Sequence, residues 1–178
     1  MPKTARRSAK TLSSTPRSSV GHGWLFSLWM ILIVVLFIID QVTKWHFAKT
    51  MEPGQVDPVF PGFNFVLAYN RGAAFSFLAN AGGWQMWLFG GLAIVVLGVV
   101  IRLLWRHSHL TLFCTALSFI GAGAAGNLFD RLFRGYVIDF LDFYYQQWHW
   151  PAFNVADIAI CLGAALLICD ELFGLRKR

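Results

Sequence analysis

The chain has 178 residues, 57% of them hydrophobic and only 13% charged, with a mean hydropathy of +0.56. A soluble domain carries roughly twice that charged fraction, so the composition excludes an ordinary soluble domain and places the chain among integral membrane proteins. The formal charge of +6 does not point to nucleic acid, because ten of the fifteen basic residues fall in three flanks that alternate with the other two loops. Lys3, Arg6, Arg7, Lys10 and Arg17 precede the first apolar run, Arg102 and Arg106 follow the second, and Arg176, Lys177 and Arg178 close the chain. This is the pattern of the positive-inside rule.

Residues 1–23, rich in Ser, Thr, Lys and Arg without an apolar period, are predicted to be a disordered cytoplasmic tail. The apolar run Trp24–Ile39 ends in Asp40-Gln41-Val42-Thr43-Lys44 with no small-x-small cleavage site, so it reads as an uncleaved first span over about 24–44. Residues 45–83 carry the turn dipeptides Pro53-Gly54, Asp57-Pro58 and Pro61-Gly62. The stretches Phe63–Tyr69 and Ala74–Leu78 read as short strands around Asn70-Arg71-Gly72, making a small β-rich element outside the membrane or on its surface. A second span is expected over about 84–104 and a third over about 110–129, joined by the basic loop Trp105–His109. The small residues Gly121–Gly126 in the third span would let a neighbouring helix approach closely. A loop over 130–151 ends in Trp148-His149-Trp150-Pro151, an aromatic pair suited to the membrane interface. A fourth span is expected over about 152–169, and residues 174–178 form a second basic tail. Four spans with basic flanks at both ends predict cytoplasmic termini and put loops 45–83 and 130–151 outside. The cysteines Cys114, Cys161 and Cys169 lie inside apolar runs and read as buried small hydrophobes without a disulfide.

Ionisable groups at membrane depth are costly and usually functional. Four of the nine acidic residues, Asp130, Asp139, Asp142 and Asp157, fall between Gly121 and Asp157. Two end an Asn-x-x-Asp spacing, Asn127 with Asp130 and Asn154 with Asp157. On a helix this spacing shares a face and would set each amide beside its carboxylate. Asp157 would lie about 7–8 Å inside the fourth span, while Asp40 and Asp130 would close the first and third spans at the same face. Asp40 has an ordinary partner in Lys44 at i,i+4 and Asp130 in the adjacent Arg131; Asp157 has no basic neighbour on its own helix.

No HExxH occurs, and His107 and His109 sit in a basic loop, so no metal site is expected. Ser118 has no Lys or His on its helix, and the Gly121–Gly126 run lacks the Lys of a phosphate loop. A carboxylate pair remains: two aspartates held close share a proton, so that one activates water while the other protonates the carbonyl oxygen or leaving amine. Both Asp130 and Asp139 could partner Asp157. An adjacent cation favours a permanently ionised Asp130, whereas Asp139, between Ile138 and Phe140, suits a shared proton.

Five motifs then carry a resemblance: Asp40-Gln41-x-x-Lys44, Asn70-Arg71-Gly72-Ala73-Ala74-Phe75, Gly126-Asn127-x-x-Asp130-Arg131, Val137-Ile138-Asp139-Phe140 and Phe153-Asn154-x-Ala156-Asp157. In this order they resemble the motif set of lipoprotein signal peptidase, signal peptidase II, over about Trp24 to Ile168. The resemblance implies a bacterial intramembrane aspartyl protease of the inner membrane, inhibited by globomycin, that removes prolipoprotein signal peptides just before a diacylglyceryl-modified cysteine. It implies a mainly α fold of four transmembrane helices with a small periplasmic β-cradle, a single domain over 24–173. The catalytic pair would be Asp139 and Asp157. Asn70, Asn127, Arg131 and Asn154 would bind the substrate backbone or orient the pair, with Gly72 and Ala156 supporting them, and Asp40, Lys44 and Asp130 would hold the framework. Lipid is the expected surrounding, the protein is expected to act as a monomer, and no cofactor is expected. A rival of another class is a small proton-coupled transporter or channel component, since converging carboxylates also build proton relays; a purely structural scaffold would leave Asp157 unexplained.

Overall fold

The computed structural model describes residues 20–72 and 84–174, with side chains from residue 23 onward. Of the tail expected over 1–23, residues 20–23 are helical and the rest lies outside the described residues, as do the expected strand Ala74–Leu78 and the terminal Arg176, Lys177 and Arg178. The elements in order are α1 (Val20–Thr50), β1 (Val56–Phe60), β2 (Phe63–Asn70), α2 (Trp84–His107), α3 (Thr111–Phe133), β3 (Val137–Tyr145), β4 (Trp148–His149) and α4 (Val155–Leu172).

Among the described residues, three helices are long and apolar enough to cross a membrane: Gly23–Thr50, Trp84–His107 and Thr111–Phe133. α4 is apolar from Ile158 to Cys169, but its 18 residues include Asp157, Asp170 and Glu171. Exposed Ile31, Val35, Ile38, Leu92, Val95 and Val99 cover the outer faces of α1 and α2. Such surface is costly in water and free of that cost in lipid. α3 is the central helix. Its Phe113, Cys114, Leu117 and Ala122 pack with Ile33 of α1 and with Val100 and Leu104 of α2.

The closest helix contact joins α3 to α4, and small residues make it possible. A Cβ on Gly163 would sit 2.6 Å from the Ala116 carbonyl oxygen and 2.7 Å from Ile120 Cγ1, and one on Gly123 would collide with the Ala156 carbonyl. The obstructing atoms are mostly backbone, so the helices would have to part. Gly163→Val is therefore expected to destabilise the protein by about 1–3 kcal/mol or more, read as a lower melting temperature in detergent. Gly98→Val, where nothing lies within 4 Å of the added carbon, is the control and should melt like the wild type.

The four strands form one antiparallel sheet in the order β1-β2-β3-β4. β2 matches the expected strand at Phe63–Tyr69. β3 and β4 fall where a plain loop was expected over 130–151. The sheet is fixed to the end of α1: the Phe47 ring stacks on Phe140 at 4.3 Å and touches Phe65 at 4.8 Å, while Met51, Leu67 and Ile138 form a small core beneath. Ile138 and Phe140 thus face α1, and by strand alternation Asp139 faces the other way. The pairing of Ala68 with Asp139 and of Tyr69 with Ile138 fixes that register.

The cysteine expectation needs correction. Cys114 is buried, but Cys161 and Cys169 are exposed, and all three are free thiols. A helix packed on one side leaves apolar residues on its other sides uncovered by protein, so position in an apolar run does not imply burial.

Candidate active site

Five elements converge where the sheet meets the helix ends. α1 brings Asp40 and Lys44, α3 brings Asn127, Asp130 and Arg131, β3 brings Asp139, and the start of α4 brings Asn154, Ala156 and Asp157. Asn70, at the end of β2, and Gly72 complete the set.

Lys44 has no exposed surface and lies between two carboxylates, 2.8 Å from Asp40 Oδ2 and 2.8 Å from Asp130 Oδ2. Its ammonium also donates to Asn127 Oδ1 at 3.0 Å. Asp130 is further paired with Arg134. Here the sequence expectation fails, because Asp130 takes Lys44 and Arg134 as partners and not the adjacent Arg131. Successive helical residues point some 100° apart, and the Arg131 guanidinium instead donates to the carbonyls of Asn127 at 3.1 Å and Gly72 at 3.2 Å. Gln41 was quoted in a motif without a role. It joins the cluster by accepting from Arg134 at 2.8 Å and donating to Asp130 Oδ1 at 3.3 Å.

The expectation that each amide sits beside its own carboxylate also needs revision. Asn154 is not helical: with φ −136 and ψ −176 it is the N-cap of α4, and Asp157 is the third residue of the first turn. Its Oδ1 accepts from the Asp157 amide at 3.0 Å, and its own amide donates to Asp157 Oδ2 at 3.3 Å, closing a capping box. The Asn154 side-chain NH2 then reaches across to Asp139 Oδ1 at 2.7 Å. Asn127 likewise turns from Asp130 and donates to Asp157 Oδ1 at 2.8 Å. Asp157 lies in the first turn of α4 rather than about 7–8 Å inside it, because Pro151–Asn154 pair with β3 through Phe153 and Leu141 before the helix begins.

Two carboxylates from different elements are thus held by amides. Asp139 accepts from Asn154 and from Asn70 Nδ2 at 3.1 Å; Asn70 is itself oriented by the Gly72 amide, which donates to its Oδ1 at 2.9 Å. Asp157 accepts from Asn127 and the Asn154 backbone. Asp40 supports the arrangement by accepting from the Ala156 amide at 2.8 Å, which ties α1 to the start of α4. Burial, and after it the negative charge of Asp157, push Asp139 up to about 7, against the opposing hydrogen bonds of Asn70 and Asn154 and the charge of Lys44. Asp142 stands apart: it accepts from Asn64 at 2.8 Å and pairs with His149 at 2.9 Å.

Asp139 and Asp157 line one cavity of about 530 Å³ with Asn70, Asn127 and Arg131 at its polar end. Ile158, Cys161 and Leu162 of α4 form an apolar flank, and Trp150 and Phe153 an aromatic one. Phe153 opens one of the quoted motifs and Trp150 belongs to the aromatic pair, but no motif marked Ile158, Cys161 or Leu162, since apolar side chains facing a cavity and facing lipid look alike in sequence. Among the described residues no group of three or more His, Cys, Asp and Glu is arranged to hold a metal ion.

The family model for signal peptidase (SPase) II matches residues 32–173. The chain belongs to the signal peptidase II family. It is 51% identical over 172 residues to a lipoprotein signal peptidase of Ralstonia nicotianae, covering 97% of this chain and 98% of that one. It is 54% identical over 144 residues to a lipoprotein signal peptidase of Paraburkholderia phymatum, covering 81% of this chain and 87% of that one. In structure it is similar to a bacterial membrane enzyme solved by the in meso method at 2.3 Å resolution, with a TM-score of 0.75 and 30% identity over 85% of this chain and 92% of the other. It is thus a peptidase of a bacterial membrane, and the transporter alternative falls away.

Proposed function

We propose that this peptidase is an aspartyl endopeptidase that removes the signal peptide of bacterial prolipoproteins, cutting before the diacylglyceryl-modified cysteine. The observation that carries the reading is the pair Asp139 and Asp157 on one cavity, each positioned by asparagine amides and flanked by an apolar helix wall. Asp157 takes a proton from a water as that water attacks the scissile carbonyl carbon. Asp139 gives its proton to the carbonyl oxygen, and collapse of the tetrahedral intermediate passes a proton to the leaving amine. Arg131 and Asn70 border the space where the peptide backbone would lie, and the apolar flank of α4 accommodates the apolar signal segment.

In this reading α4 is a fourth span: at 18 residues it measures about 27 Å, near the ~30 Å hydrocarbon core, with Asp157 at the outer boundary and Asp170 at the inner. Both termini are then cytoplasmic, the sheet is periplasmic and the membrane is the inner one. Residues 24–173 act as one domain and as a monomer among lipids.

The test is incubation of purified protein with a diacylated lipobox peptide. Cleavage before the lipidated cysteine, blocked by globomycin and untouched by EDTA, is expected, since the chemistry needs only two carboxylates and water. Activity lost to EDTA and restored by zinc would reject the dyad. A pH series adds a sign. The acid must hold its proton, so kcat/KM should fall as pH rises through about 7, the value to which Asp139 is pushed. A rate still flat at pH 9 would remove Asp139 from the acid role.

A further inference from the structure

Beyond the catalytic cavity lies a second depression, of about 410 Å³, lined by Gly62, Phe143, Tyr145, Trp148, Trp150 and Phe153 among others. Trp150 and Phe153 border both spaces, so the groove continues the cavity outward. Strand geometry explains the continuity. Asp139, Leu141, Phe143 and Tyr145 share one face of β3, and at ~3.3 Å per residue Phe143 lies about 13 Å and Tyr145 about 20 Å along the strand from Asp139. The wall is also built rather than loose. The Phe143 and Phe153 rings are stacked, with 15° between their planes, and the Trp150 amide donates to the Phe143 carbonyl at 2.7 Å. His149 is tied to buried Asp142, which fixes the hairpin that carries both tryptophans. Yet Phe143, Tyr145, Trp148 and Trp150 remain substantially exposed, a contiguous aromatic patch of the kind that marks a binding surface.

Resting on the function proposed above, we propose that this groove binds the mature part of the substrate, the extended and uncharged segment that follows the lipidated cysteine. A peptide whose scissile bond lies at Asp139 and whose chain continues along the face of β3 meets Phe143 about four residues later and Tyr145 about six residues later. Aromatic walls without a charged lining residue take backbone and small side chains with little sequence preference.

The experiment compares two diacylated substrates in detergent: one ending at the lipidated cysteine as an amide, and one extended by six uncharged residues. Wild-type enzyme should cleave both, with KM roughly tenfold lower for the longer one, the scale that one or two aromatic contacts supply. Tyr145→Ala/Trp148→Ala should lose that advantage, and Trp148→Phe should keep it. Equal KM for the two substrates in the wild type, or an advantage that survives in the double variant, overturns the proposal. So does an equal loss on both substrates, which would mark the patch as a structural or membrane-seating surface. If the wild type cleaves neither substrate, the peptidase reading fails first and this inference with it; cleavage of the short one alone sinks the groove and leaves the peptidase reading standing.

Discussion

Asp139→Asn and Asp157→Asn are each expected to reduce single-turnover cleavage by ~10³-fold or more, near the upper range for loss of a general acid or base, while the protein still folds. Neither carboxylate belongs to the buried ion cluster: Asp139 is held only by amides, and Asp157 by amides and a capping box. Asp139 adds a signature that separates chemistry from folding. Its folded value of about 7 lies above the ~3.9 of an unfolded Asp, so the folded state binds more protons between those values. Wild-type stability therefore falls as pH rises from about 4 to about 7. Asp139→Asn cannot ionise and escapes that loss. It also turns an NH2 toward one of two amide donors, a constant cost. The melting temperature of the variant relative to wild type should thus rise between pH 5 and pH 8. Asp130→Asn, by contrast, should act through stability, because Asp130 pairs with Lys44 and Arg134. The assignment fails if folded Asp139→Asn cleaves at near wild-type rate while folded Asp130→Asn is inactive.

The helices were legible because long apolar runs have one structural answer in lipid; α2 starts at Trp84 as expected and α3 one residue late, and both run three to four residues past the expected ends. The polar motifs were legible as a set for the same reason, since lipid makes stray carboxylates expensive. Their pairing was not. The Asn-x-x-Asp spacing is a helical argument, and it misled at Asn154, which is a cap, and at Asn127, whose amide is claimed by Lys44 and Asp157 on other helices. β3 was missed because Asp139 and Asp142 interrupt its otherwise β-branched and aromatic run. Those two residues are buried for opposite purposes, one facing the cavity and the other facing Asn64. Only the tertiary register distinguishes them.

Lys44→Met is expected to cause the largest loss of stability among these variants, on the order of 3–5 kcal/mol, the cost of breaking a buried pair from one side. The cluster of Asp40, Lys44, Asp130 and Arg134 is neutral as a group. Removing the ammonium leaves two fully buried carboxylates with only the partly exposed Arg134 in reach. Asp40 is also the acceptor for the Ala156 amide, so repulsion within the cluster strains the start of α4. Adding Asp130→Asn to Lys44→Met restores neutrality, and the double variant should recover part of the loss, with coupling of about 0.5–3 kcal/mol. Activity should not recover with it. Lys44 also fixes the Asn127 amide with its oxygen inward and its NH2 toward Asp157, and the double variant lacks that constraint. Detergent melting curves and single-turnover rates on four proteins, the wild type, Lys44→Met, Asp130→Asn and the double variant, decide the matter. Strictly additive stabilities would refute charge balance as the cause, and a fully active double variant would refute the link from Lys44 to the dyad.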